Sequence, residues 1–158
     1  MFAFPRGENG EDMSDHASFM SVAYEEALKS YNQGGLPIGS ILVRAGAIVA
    51  KGHNQRVQKS DPIAHGEMDC LRNAGRQSSY RDTIIYTTLS PCMMCAGTVV
   101  QFKVPVVVIG DSINFSGNKD FLINYGVRVV DLNDARCIEL MSRFMREQPA
   151  LWNEDIAE

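Results

Sequence analysis

The stretch TIIYTTLSPCMMCAGTVVQFKVPVVVIG, residues 83–110, decides the fold class. Its two ends, Thr83–Leu89 and Val104–Gly110, are short runs rich in β-branched residues, the composition of buried strands. Between them, Cys92–Phe102 carries no strand alternation and follows Ser90-Pro91, so it reads as a helix between two strands. The same rhythm continues on both sides. A helix near Ala64–Asn73 precedes the first strand. The loop Asp111–Gly117, a short helix, the strand Val127–Leu132 and a long helix over Asp134–Arg146 follow the second. Strands separated by helices point to an α/β sandwich around one sheet.

Further upstream, Met20, Tyr24, Ala27, Leu28 and Tyr31 repeat at the helical period and predict a helix from Ser14 or Asp15 to Asn32, stopped by Gly34-Gly35. Ile38–Arg44 and Ala47–Gly52, split by Ala45-Gly46, read as a hairpin and make the sheet mixed. Asn54–Ile63 is polar, contains Asp61-Pro62 and reads as a loop. Residues 1–13 read as a flexible leader and 14–158 as a single domain, with no internal repeat or linker.

Composition narrows the function classes. The 158 residues are 45% hydrophobic and 22% charged, ordinary for a globular protein able to bury a full core. Fifteen Lys+Arg against nineteen Asp+Glu give a net charge of −4, which argues against a general nucleic-acid binder. No apolar run is long enough to span a bilayer, and the first residues lack the basic start and apolar stretch of a signal peptide. Four cysteines, two of them three residues apart, suit a reducing compartment, so a cytoplasmic location is expected.

Chemistry concentrates in His65-Gly66-Glu67 and Pro91-Cys92-Met93-Met94-Cys95, each opening a helix. Zinc takes imidazole nitrogen and thiolate sulfur, and a catalytic zinc keeps three protein ligands and an open position. His65, Cys92 and Cys95 supply that set. Helix N-termini favour the thiolate form that binds metal. Cys70 lies five residues past His65, roughly 500° around the helix, and faces elsewhere. Cys137 reads as a packed residue, His16 as part of the N-terminal cap region and His53 as a strand end. Glu67, two residues from one ligand, is placed to move a proton from zinc-activated water to a leaving amine. H-x-E followed by P-C-x-x-C is the signature of zinc nucleobase deaminases, with the glutamate as shuttle and not ligand.

These residues resemble the cytidine deaminase-like superfamily, and within it the fungal-type cytosine deaminases. The likeness runs from Met20 to the end of the chain. It includes Ala23–Ala27, Gly35 with Pro37–Gly39, Gly52–Asn54, Tyr86–Cys92, Asn114-Phe115, and the tail Trp152 with Glu154–Ile156. The resemblance implies a three-layer α/β/α sandwich with a five-stranded mixed sheet in order 2-1-3-4-5. It also implies one Zn2+ per subunit, a homodimer, and conversion of cytosine to uracil and ammonia in pyrimidine salvage. Phe115 and Trp152 would form the aromatic wall and lid. Asp155 and the Ser90 carbonyl would contact the exocyclic amine, and Asn54 and the Gly66 amide the O2/N1 edge.

Other readings remain open. Cys92 and Cys95 could form a redox pair, but that leaves His65 and Glu67 without roles. Asn54 could cap a turn. The same zinc machinery serves deaminases of guanine, isocytosine, creatinine or triazines. A tRNA adenosine deaminase is disfavoured by the acidic balance, and a structural zinc module has no use for Glu67.

Overall fold

The computed structural model describes residues 11–158, with side chains from residue 15 onward. The first helix, α1 (Glu11–Asn32), leads into a hairpin of β1 (Gly39–Arg44) and β2 (Ala47–His53). A single-turn α2 (Arg56–Lys59) and α3 (Gly66–Ala74) follow. Then come β3 (Thr83–Leu89), α4 (Met93–Gln101), β4 (Val106–Asp111), α5 (Lys119–Asn124) and β5 (Arg128–Asp131). Two helices close the chain, α6 (Ala135–Glu147) and α7 (Pro149–Asp155).

The five strands form one sheet in the expected order, β2-β1-β3-β4-β5. β1 pairs antiparallel with β2 and β3, whereas β3–β4 and β4–β5 are parallel. The hairpin turns at Ala45 (φ 49°) and Gly46 (φ 74°), the two positive-φ residues that a tight two-residue turn requires. β4 is buried at every position, as expected of a strand covered on both faces.

Side-chain alternation sorts the core into layers. Ile41, Val43, Val106 and Val108 pack with Met20 and Ala23 of α1 and Cys137 of α6. Leu42, Ile85, Val107 and Ile109 face the other way, onto Cys70 of α3, Ala96 and Val99 of α4 and Leu122 of α5. A third cluster at one end of the sheet joins Leu36, Ile38 and Leu89 to Met141 and Phe144 of α6 and Trp152 of α7. These are helix, sheet and helix layers, with α7 placed over the end where β3 finishes.

Close approach depends on glycine where helix meets strand. A Cβ on Gly39 would stand 2.1 Å from the Ala23 carbonyl of α1, and one on Gly52 would stand 2.3 Å from the Cys70 amide of α3. Both contacts are with backbone, so no side-chain rotation relieves them.

The structure shifts several expected boundaries. α1 begins at Glu11, within residues assigned from sequence to the leader; residues 1–10 lie outside the described residues. His16 is therefore a buried residue inside α1, with Nδ1 2.7 Å from the Tyr86 hydroxyl, and not part of a cap region. The buried face of α1 runs through His16, Met20, Ala23, Ala27 and Ser30. Tyr24, Leu28 and Tyr31 flank that face and line a groove against α6. α2 interrupts the expected loop, and α7 was not legible as a helix.

Candidate functional site

Both motifs sit at helix starts because their backbone turns into the helix there. His65 is the residue before α3 (φ −67°, ψ 161°) and Cys92 the residue before α4 (φ −69°, ψ 174°), both extended and neither capping its helix by its side chain. The side chains are thereby released toward each other. His65 Nδ1 lies 3.5 Å from Cys92 Sγ and 3.7 Å from Cys95 Sγ. Among the described residues these three form a group whose ligand atoms all lie within 4.8 Å of one another. Tetrahedral zinc, with Zn–S near 2.3 Å and Zn–N near 2.05 Å, sets N···S separations of about 3.6 Å. The donor atoms present match in kind and spacing.

The other imidazole nitrogen also has a partner. His65 Nε2 stands 3.4 Å from Asp155 Oδ1, the arrangement by which an outer carboxylate fixes the tautomer and orientation of a ligating histidine. Asp155 is the meeting point of several groups. Its Oδ1 accepts a 3.3 Å hydrogen bond from Asn54 Nδ2 and lies 3.8 Å from Arg56 Nε. Burial pushes its carboxyl up, and the opposing pull of His65, Arg56 and Asn54 does not fully cancel that rise.

Glu67 is 4% exposed and lines the same cavity. Burial raises its carboxyl to about 7, with the Cys92 sulfur adding to the rise and His65 opposing it. A carboxyl poised near neutrality takes up and gives back a proton with little loss in either direction. The cysteines divide their proton unequally. A hydrogen bond from Cys95 draws Cys92 down to about 4, against the effect of burial and with help from His65. The same hydrogen bond, with burial, raises Cys95. Burial opposes protonation of His65, but the Cys92 contact and the charges of Asp155 and Glu67 lift it to about 9. The thiolate is the form of Cys92 that binds metal, whereas His65 would bind as neutral imidazole, so that metal binding would release its proton.

The cavity has a free volume of only about 10 Å³, room for a single water. Its walls include Ser90, Phe115, Trp152 and Asp155 beside His65, Glu67 and Cys92. Phe115 and Trp152 meet edge to face, with centroids 5.5 Å apart and planes at 83°. Asp111 positions the Phe115 loop by accepting from the amides of Ile113 and Asn114 and from Asn114 Nδ2. The Ser90 hydroxyl donates to the Ser116 carbonyl from the other side. An outer hollow of about 450 Å³ shares His65, Cys92, Phe115 and Asp155, and Arg56, Met93 and Glu154 line it.

Two expected contact residues, Asn54 and Gly66, are not among those lining the cavity. Asn54 is fully buried and donates to Asp155. Its Oδ1 accepts the Arg56 amide at 3.0 Å, the turn-capping bond that Asn commonly makes, which leaves Nδ2 directed at Asp155. Gly66 is the first residue of α3, where amides have no partner within the helix. A Cβ there would lie 3.0 Å from the Ile38 carbonyl. Cys70 and Cys137 are packed in the two sheet-face clusters, and burial raises both thiols. Sequence reasoning missed Arg56, Ile38 and Leu89 as neighbours of the site. Arg56 left one signal, its position two residues after Asn54.

Comparison with known proteins agrees with this geometry. Residues 13–111 match the cytidine and deoxycytidylate deaminase zinc-binding region. The chain is 48% identical over 147 residues to a cytosine deaminase of Candida albicans, covering 91% of this chain and 98% of the relative. It is 32% identical to a tRNA-specific adenosine deaminase of Streptococcus pyogenes, over 85% of this chain and 92% of that one. A solved structure from a study of A-to-I editing by tRNA:A34 deaminases superposes with a TM-score of 0.70 at 25% identity, covering 78% of this chain and 99% of that one. The chain belongs to the zinc-binding cytidine and deoxycytidylate deaminase family.

Proposed function

We propose that this protein is a hydrolytic deaminase of a free nucleobase, converting cytosine to uracil and ammonia. The observation that carries the reading is the placement of Glu67 beside the His65–Cys92–Cys95 group in a small aromatic-walled cavity. Likeness to the Candida albicans cytosine deaminase over nearly the full length of both chains supports the substrate.

His65 Nδ1 and the sulfurs of Cys92 and Cys95 would hold the zinc. When bound, zinc supplies the Lewis acidity that makes water a nucleophile at neutral pH. Glu67 takes a proton from the attacking water and delivers it to ring nitrogen N3. The proton of the new C4 hydroxyl then passes through Glu67 to the amine as the C4–N bond breaks, so that ammonia leaves and the ring keeps the oxygen as a carbonyl. Asn54 Nδ2 gives one hydrogen to Asp155; its second hydrogen and the Gly66 amide donate to the O2 edge once the walls part, while the Asp155 carboxylate and the Ser90 carbonyl accept from the exocyclic amine. Phe115 and Trp152 exclude water around the ring. A cavity that holds one water admits a pyrimidine only when its walls move, so entry is gated by the side chains of Phe115, Trp152 and the rest of α7.

Residues 14–158 act as one cytoplasmic deaminase unit in pyrimidine salvage. The unit pairs as a homodimer through exposed apolar side chains, of which Ile113 (68% exposed), Tyr125 (64%) and Ile123 (55%) stand out. Sedimentation equilibrium measures that state, with twice the chain mass expected.

The deciding experiment is ammonia release by zinc-loaded protein offered cytosine, isocytosine, creatinine, guanine, cytidine and a tRNA substrate. Turnover of cytosine, with cytidine and guanine inert, is the expected result. Turnover of a different heterocycle with cytosine inert overturns the substrate. Glu67→Gln is expected to keep one zinc per chain and to lose about 10²–10⁴ in turnover.

A further inference from the structure

We infer that Asp69 is a positioning residue for Asn54, gripping the chain on both sides of it from the helix that carries Glu67. The inference rests on the reading of Asn54 as a substrate contact. Asp69 lies on α3, is 2% exposed and takes no part in lining the cavity. Its Oδ2 accepts the His53 amide at 3.0 Å and its Oδ1 accepts Gln55 Nε2 at 3.0 Å. His53 and Gln55 are the immediate neighbours of Asn54, so a single carboxylate holds both.

A buried carboxylate is costly to desolvate and persists where its hydrogen bonds are met. Here the acceptors serve a chain segment and not a helix cap or a surface pair. Lys59 Nζ, at 3.9 Å and half exposed, is the cation that faces it among the described residues, too distant for a close ion pair. Gly52 makes the grip sterically possible. With no Cβ, it lets the backbone of residues 69 and 70 press against β2 where a side chain would collide.

Other bonds already secure the Asn54 backbone: its amide to the Ile38 carbonyl and its carbonyl to the Ser30 hydroxyl. Those bonds tie Asn54 to the residue before β1 and to α1. The Asp69 bonds tie the same segment to α3, and Glu67 stands two residues earlier on that helix. The Asn54 amide, in its proposed role as substrate contact, and Glu67 are therefore registered to one rigid element. Small misplacements between such groups are expensive in rate and binding, because the productive pose tolerates little displacement.

The test uses zinc-loaded Asp69→Ala, Asp69→Asn, Asn54→Ala and the Asn54→Ala/Asp69→Ala double variant, with cytosine as the probe. Loss of one well-placed contact corresponds to about tenfold, so Asp69→Ala is expected to raise KM about tenfold while kcat changes by less than about threefold. Asp69→Asn keeps one acceptor for the His53 amide, and the Gln55 side chain can rotate to accept from the new amide. It should return KM to within about threefold of the parent. The double variant should be no worse than Asn54→Ala, because Asp69 acts through Asn54. Amide exchange at His53 should quicken by about tenfold in Asp69→Ala, with Val107 in the central strand unchanged.

A folded Asp69→Ala with unchanged KM overturns the inference, as do losses that multiply in the double variant. Failure of the functional reading looks different: the parent protein is silent toward cytosine, or Asn54→Ala is as active as the parent. Either result removes the positioning role even if His53 exchange quickens, and leaves the grip as architecture alone. If Asp69→Ala does not fold, Gln55→Ala removes half of the grip while leaving Asp69 and its bond to the His53 amide in place, and an unchanged KM in that variant overturns the inference equally.

Discussion

Glycine positions decide how closely this sheet accepts its helices. Adding a methyl at Gly39 drives it into the Ala23 carbonyl at 2.1 Å. Gly39→Ala should therefore destabilise the fold by about 1–3 kcal/mol, read as a lower urea midpoint at unchanged slope. Gly97 gives the opposite expectation. It lies inside α4, and a methyl added there meets open space, with nothing within 4 Å. Gly97→Ala should raise stability by about 0.5–1 kcal/mol through helix propensity alone. The grouping of His65, Cys92 and Cys95, with Glu67 in the same cavity, was readable from sequence because these residue types fall at fixed spacing on two helix starts. Asp69 and Arg56 were not. Each is an ordinary charged residue until the fold brings it to the Asn54 segment or to Asp155.

Among the elements, α6 has the most explicit start. Asp134 accepts from the amides of Arg136 and Cys137, closing two of the donors that a helix N-terminus leaves open. Asp134→Ala should cost about 1 kcal/mol, measured by urea unfolding at pH 7. Burial pushes the Asp134 carboxyl up, but its bonds to the Arg136 side chain and to the helix amides outweigh that and hold it below the ordinary value. A depressed carboxyl stabilises the folded state above its unfolded pKa, and that contribution fades as pH falls through the folded value. The stability gap between the parent and Asp134→Ala should accordingly be constant near neutrality and shrink below about pH 4. Long elements with a clear period or β-branched composition, such as β3, β4 and α6, were legible within a few residues. α7 was not, because seven residues give too few turns for a period; Pro149 at its start was the only local mark. The face of α1 was also partly hidden, since His16, Glu26 and Ser30 are polar by type and buried by tertiary contact.

The sheet order places the end of β3 next to the start of β1, and that adjacency brings Ser90 and Cys92 beside Ile38 and the segment leading to His65. The metal group therefore links the starts of two helices that share one face of the sheet: His65 immediately precedes α3, Cys92 immediately precedes α4, and Cys95 lies in the first turn of α4. An ion held by such a group favours the folded state by mass action, because the unfolded chain offers no preformed set of ligands. At a free zinc level about a thousandfold above the dissociation constant, the gain is about 4 kcal/mol. In a domain of this length that corresponds to about 8–16 °C in Tm. Protein stripped with a chelator should melt lower by that interval and release no ammonia from cytosine, and one equivalent of Zn2+ should restore both. Mg2+ should restore neither, since it prefers oxygen ligands in octahedral geometry. Replacing Cys95 with alanine separates the metal from the rest of the fold: the variant's Tm should become insensitive to chelator. If it still fell on stripping, the stabilising ion would sit somewhere other than between α3 and α4.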